Sequence, residues 1–423
     1  MNTYRSLFAV AEFRVLFVAQ CLNMIAGATA GLALGTITFA ETGSAVLTGL
    51  SMFGGPFIAL LSSTFLLSVS DVMRPRRALT LVASAVCLVE LAQSIPGLPV
   101  PARFALLALT WLVLSMSTGA AIALVADLLP SEAFVLGRST LNIAVGSMQI
   151  VGYGLGGLLL LWLSTTGLFL TAAACSGLAA LLIRTGLADH PPRATGPVVR
   201  RTREVNRLLL GSRMLRPIYL SSWIPNGLIV GCEALFIPYA GERAGYLLAA
   251  TAAGMLTGDI VVGRFLSAPT RERLVDPLRF LLAAPFLAFF LVPSVPVAMA
   301  LGAFAAIGYA ASLPLQERLV AHTPADTRGQ ALGLRGTGLQ AGQAVGALLA
   351  GLVADRLGVG PTAAAHAMGV MAVASILVSL ALVPGLRRSA PSSADPDPAR
   401  DSGVLLDQPV GAEDQESAVV EPG

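Results

Sequence analysis

The chain has no lysine; every one of its 27 basic residues is arginine. A Gly-Lys-Ser/Thr phosphate loop is thereby excluded, because its lysine reaches the nucleotide phosphates, so ATP hydrolysis is not expected here. Charge of either sign is scarce, 12% of 423 residues, against roughly 25% in a soluble domain. Only four cysteines occur. Cys21, Cys87, Cys175 and Cys232 each stand alone in an apolar run without CxxC spacing, which argues against a disulfide framework or a metal site and for packing as small hydrophobes. The three histidines, His190, His322 and His366, are scattered. With no paired-carboxylate motif beside them, a polytopic membrane enzyme is not expected, and no catalytic residue, metal, cofactor or nucleic-acid partner is assigned.

What the chain has instead is apolar sequence, 55% of all residues. A spanning helix needs about 20 mostly apolar residues, and such stretches recur near 14–38, 45–69, 78–95, 103–126, 140–162, 166–184, 217–240, 245–266, 277–292, 297–319, 333–354 and 362–384. The expected fold class is an all-α membrane protein of twelve transmembrane helices in two six-helix bundles. The expected division is an N-terminal segment 1–13, a first bundle 14–186, an Arg/Pro-rich linker 187–215, a second bundle 216–386 and an acidic, disordered tail 387–423. No cleavable signal peptide is read at the start. Arginines gather in loops on one side, at Arg74, Arg76 and Arg77, Arg138, Arg184 to Arg216, Arg264 to Arg279, Arg318 to Arg335, and Arg387 and Arg388; only Arg103, Arg243 and Arg356 fall on the other. Basic loops stay cytoplasmic, so both termini are expected inside a multi-pass protein of the cytoplasmic membrane. The linker is read as a solvated, basic connection, and the all-arginine usage hints at a GC-rich bacterium.

The two bundles repeat each other. Asp71, Arg76 and Arg77 after the second helix correspond to Asp259 and Arg264 after the eighth. An acid at a helix end with a basic turn just beyond can latch two bundles on that side, so these five are candidate gate residues. Gly137, Gly146 and Gly154 correspond to Gly329, Gly338 and Gly346 at one constant offset.

On these residues the chain resembles the major facilitator superfamily of secondary transporters, whose six-helix halves are related by an axis along the membrane normal. The loop motif of that family, Gly-x-x-x-Asp-Arg-x-Gly-Arg-Arg, keeps Asp71, Arg76 and Arg77 here but has Leu67 at the glycine and Arg74-Pro75 for Gly-Arg. The fifth-helix Gly-Pro-x-x-Gly-Gly of its exporters reads Gly152-Tyr153-Gly154-Leu155-Gly156-Gly157. Close helix approach, or generic small-residue packing, is expected at Gly146, Gly152, Gly154, Gly156, Gly157, Gly338, Gly342 and Gly346. The fourth helix, Ser115 to Gly119, lacks the arginine usual in proton-coupled exporters.

The resemblance implies a central cavity lined by helices 1, 4, 7 and 10. Polar residues inside a lipid-embedded helix are costly and turn inward, which selects Gln20 and Asn23 on the first helix, Asn142, Gln149 and Tyr153 on the fifth, and Ser222, Trp223, Asn226 and Glu233 on the seventh. Glu233 lies about 24 Å along its helix; it reads either as a proton-coupling or substrate-binding acid or as a structural one. The resulting expectation is proton-coupled export of a small hydrophobic or weakly cationic compound, such as an antibiotic or secondary metabolite, by a monomer working through alternating access, with the proton gradient as energy source. Uptake or facilitated passage of a small neutral solute, and a non-transporting receptor or scaffold on the same fold, stay open as alternatives.

Overall fold

A computed structural model describes residues 4–58, 74–115, 124–125, 128–129, 131–190, 198–324 and 327–389. Asp71 and the acidic tail beyond Ser389 lie outside these residues. No strand occurs among them. Twelve passes follow in order: α1 Ala11–Thr42, α2 Ala45–Phe53, α3 Pro75–Gln93, α4 Val100–Ser115, α5 Ser131–Leu159, α6 Thr165–Gly186, α7 Leu215–Ala234, α8 Ala244–Ile260, α9 Val275–Ala283, α10 Val295–Ile307 with its continuation Ser312–Ala321, α11 Arg328–Leu357 and α12 Pro361–Arg388. Six of the described stretches are long and apolar enough to cross a membrane. The longest, 51 residues from Leu215 to Phe265, carries α7 and α8 on either side of a break at Gly241.

Local chemistry sets the ends of these helices. Gly43 closes α1 in the left-handed region, with φ 64°, its N–H donating to the Phe39 carbonyl; glycine adopts that conformation without a Cβ clash. Gly241 turns α7 into α8 at φ 57° and ψ −127°, which only glycine tolerates well. The Ser44 and Ser164 hydroxyls accept from the N–H of Leu47 and Gly167 at the starts of α2 and α6. Pro75 and Pro361 occupy the first helical positions of α3 and α12, where a missing N–H costs nothing. After Ala283, Pro285 lies where α9 tightens into a 3₁₀ segment, Ala284–Leu291.

Three differences from the sequence reading matter. The fifth helix starts at Ser131 rather than near 140. The eleventh starts at Arg328, which draws Arg335 out of the expected loop and two turns into a helix. Within the linker, Val198–Gly211 is a helix whose Val205 and Leu209 pack into the second half.

The halves meet at one end. In the first half α1 packs on α5 and α6, and α3 on α6; in the second, α7 packs on α11 and α12, and α8 on α10. Between the halves α2 lies along α11, and α5 along α8. At the end remote from the linker a single core draws on both halves, joining Leu32, Phe53 and Phe169 to Ile229, Phe236, Phe286 and Met368. Towards the linker end the buried clusters are separate, one around Phe13, Leu16, Leu124 and Ile183 and one around Tyr219, Leu315, Leu319 and Leu332.

Candidate functional site

Four of the nine expected substrate residues, Ser222, Trp223, Asn226 and Glu233, lie on α7 in the second half. Pro225 inside α7 withholds an N–H, so the Ser221 carbonyl one turn earlier has no helical donor. Around this break the polar side chains of α7 find partners on α11 and α12. Ser375 of α12 donates to the Pro225 carbonyl at 3.3 Å. Gln343 of α11 donates to Asn226 Oδ1 at 3.4 Å. The Trp223 indole packs at 5.2 Å on Tyr219 and donates to the Arg335 carbonyl at 3.0 Å. Ser222 is buried with a hydroxyl that has no partner among the described residues.

Glu233 is buried, 7% exposed, in the last turn of α7. Its carboxylate Oε1 accepts from the Tyr309 hydroxyl at 3.1 Å. Tyr309 belongs to the short 3₁₀ segment Gly308–Ala311 midway along the tenth pass, so the pair ties the seventh pass to the tenth. On either side of Glu233 run residues of the core shared by the halves: Val230, Cys232, Ala234, Leu235 and Phe236. The acid therefore sits at the edge of the sealed end, with the polar residues of α7 extending from it towards the linker end.

In the first half, Gln20 and Asn23 are half-buried on α1, and Gly27 faces open space. Tyr153 lies apart from Glu233's hydrogen bond, packed on Phe53 at 5.6 Å in the joint core. Asn142, Gln149 and Gly146 lie on α5, but their surroundings fall outside what is described.

Seven of the eight expected glycines have described neighbours; Gly146 lies outside them. A Cβ on Gly152 would strike Ala28 of α1, and one on Gly156 would press against Leu32 and Thr29. Gly154 lies against Ala252 of α8, and a Cβ on Gly157 would stand 2.7 Å from the Gly245 carbonyl. Gly338 makes room for the Trp223 ring, Gly342 for the Trp223 backbone, and Gly346 for Gly227. These contacts bring helices within backbone distance, which small residues permit.

The gate residues are arranged differently from the expectation. Arg76 and Arg77 occupy the first turn of α3. Among the described residues Asp259 and Arg264 form no ion pair with each other or with another group. The eighth helix ends in a π-helical turn, Val261–Phe265, that leaves Arg264 exposed. The loop beyond is held instead by Arg271 to Glu317 at 2.8 Å and by buried Arg318 to Glu272 at 2.5 Å.

Three residues at the site were not anticipated. Tyr309 is one. Arg335 is another, reaching the Gln316 side chain and the Ser312 carbonyl at 3.4 and 3.5 Å. The third, Asp355, is in the last turn of α11, where a carboxylate opposes the helix dipole. It compensates by capping α2 of the other half: Oδ1 accepts from the Ala45 N–H at 2.9 Å, and Oδ2 from the Ser44 hydroxyl at 2.9 Å and the Val46 N–H at 3.3 Å. This clasp crosses between the halves at the sealed end. Its sequence signal was an acid at the wrong helix terminus.

Among the described residues, two sets of apolar helices packed together and sealed at one end define a multi-pass membrane fold. The model of the Major Facilitator Superfamily matches residues 234–413, and the chain shares the fold of the solved transporters that follow. It superposes on a bacterial homolog of the human lysosomal transporter Spinster in an inward-facing, occupied conformation with a TM-score of 0.66, covering 93% of this chain and 100% of that one at 14% identity. A mutant form of the nucleoside transporter NupG matches with a TM-score of 0.64 over 88% of this chain and 99% of that one at 13% identity. Among curated relatives, the Multidrug efflux pump Tap of Mycolicibacterium fortuitum is 28% identical over 246 residues, 55% of this chain and 59% of that protein's length.

Proposed function

We propose that this chain is a secondary active transporter that exports a small hydrophobic or weakly cationic compound in exchange for protons, by alternating access. The observation that carries the reading is the Glu233–Tyr309 pair: one buried acid, hydrogen-bonded across two passes at 3.1 Å, bordering the core that seals the far end. A carboxylic acid in a membrane interior marks a proton or substrate path by default. The arginine-rich linker end is assigned to the cytoplasm, which makes the sealed end external and the closed state one that loads from inside. The polar residues of α7 and the open face of α1 at Gln20, Asn23 and Gly27 form the substrate surface. Similarity to a protein named a multidrug efflux pump supports export over uptake.

The test is accumulation of a panel of antibiotics and dyes in an efflux-deficient host, with and without a protonophore. Export predicts lower accumulation with the wild type than with empty vector, reversed by the protonophore and by Glu233→Gln. Higher accumulation with the wild type would identify an importer, and export that survives both treatments would return Glu233 to a structural role.

A further inference from the structure

The arginines at the linker end are treated differently in the two halves. In the second half two of them are buried and satisfied internally: Arg279 of α9 pairs with Asp276 at 2.9 Å and donates to the Ser379 carbonyl of α12 at 3.1 Å. Arg318 holds Glu272 and also the Leu386 carbonyl at 3.0 Å. At the corresponding place in the first half, between the start of α3 and the end of α6, Arg74 pairs with Asp189, and three further arginines have no such closure among the described residues. Here a cavity of about 380 Å³ is lined by Arg76, Arg77, Thr80, Leu81, Arg184 and Asp189. Among the described residues none of these three arginines has a hydrogen-bond or ion-pair partner, and the one carboxylate, Asp189, is taken by Arg74.

We propose that this cavity binds the phosphate headgroup of an anionic phospholipid. Three guanidinium groups with no ion pair among the described residues favour a phosphate, which they can engage in bidentate fashion. Two further donors point the same way. The Thr80 hydroxyl is buried with no partner among the described residues, and the N-terminus of the 19-residue α3 opens at Pro75 without a side-chain cap, leaving first-turn N–H groups and the positive end of the dipole at the cavity. A lipid rather than a soluble phosphate follows from what lies alongside. Leu81 and Leu88 of α3 and Leu178 and Leu181 of α6 are 47% to 66% exposed, an apolar strip running into the bilayer from the basic cavity. A headgroup in the cavity would lay its acyl chains along that strip, the arrangement of basic pockets between transmembrane helices. This assignment does not depend on the transported substrate, and it gives Arg76 and Arg77 a role other than latching the halves.

Native mass spectrometry of the full chain in detergent tests it, with phosphatidylglycerol, phosphatidylcholine and inorganic phosphate as the added probes. The wild type should retain phosphatidylglycerol at least fivefold over phosphatidylcholine, and Arg77→Gln/Arg184→Gln should abolish that preference while Arg387→Gln/Arg388→Gln keeps it. Should the double variant fail to fold, Thr80→Val, which leaves every charge in place, should reduce retention about threefold. Equal retention of both lipids by the wild type, or unchanged preference in the cavity variants, would overturn the proposal. Displacement of the lipid by inorganic phosphate at equal concentration would overturn the lipid assignment and leave a soluble-anion site.

Discussion

The two ends of this molecule are built on different principles. At the end remote from the linker, the halves share one hydrophobic core, their helices approach at backbone distance through Gly157 and Gly245, and the Asp355 carboxylate of one half caps a helix of the other. At the linker end each half keeps its own core, and in the second half salt bridges tie neighbouring loops within that half. The first arrangement is a seam and the second a pair of separately braced mouths. The alternating access proposed above would use both, and Glu233 lies where the seam gives way to the polar interior.

Substitutions that break the seam should differ in kind from those that weaken a mouth. The largest effect is expected from Gly157→Val. Its Cβ would meet a backbone carbonyl at 2.7 Å, and backbone cannot move aside as a side chain can, so the cost should exceed the ~3 kcal/mol upper range of ordinary overpacking. Transport should be lost, with the ends remote from the linker held apart in double electron–electron resonance. Gly27→Ala, into open space, should leave the fold and thermal stability unchanged.

Next comes Arg318→Ala at the linker end. It strands Glu272 and frees the Leu386 carbonyl; losing one partner of a largely buried pair should cost about 2 kcal/mol, less than for a fully dry pair because Glu272 retains some exposure. Thermal melting in detergent should drop, while the separation of the ends remote from the linker stays as in the wild type. Asp355→Asn should do the reverse. Removing the charge from the α2 N-terminus should cost about 1 kcal/mol, which shifts the closed-to-open population about fivefold. Spin labels at Glu41 and Val359, both exposed at that end, should report a second, longer distance, with little change in melting. The smallest effect belongs to Asn226→Ala. It removes one interhelical hydrogen bond, worth about 0.6 kcal/mol in a membrane, so stability should barely move and any change should appear as a higher KM for the transported compound.

The order of helices was legible because twelve apolar runs separated by arginines and glycines leave a lipid-embedded chain little choice. The glycines of α5 and α11 were legible for a related reason: at that spacing they let backbones meet, and they do so at Gly157 and Gly346. Partnerships across the fold were not. Glu233 stood out as a costly acid in an apolar run, yet nothing nearby in sequence points to Tyr309, which is 76 residues away. Asp355 caps residues more than 300 positions earlier; only its opposition to the dipole of its own helix marked it. Arg335 was read as a loop residue because its basic charge set the helix boundary too late, although the residues from Arg328 onward continue the helix without a proline. A latch across the seam between helices is a matter of how the bundles stand, which sequence spacing alone does not give; in this structure the π-helical turn after α8 leaves Arg264 exposed.

The central claim is that Glu233 carries the proton that drives transport. Purified protein in proteoliposomes containing a pH-sensitive dye, given a compound identified in the accumulation assay, reads it directly. The account predicts substrate-dependent proton flux with the wild type, none with Glu233→Gln although the compound still binds, and a reduced rate with Tyr309→Phe, which keeps the acid but removes its hydrogen bond. Proton flux of wild-type magnitude through the Glu233→Gln variant would contradict it.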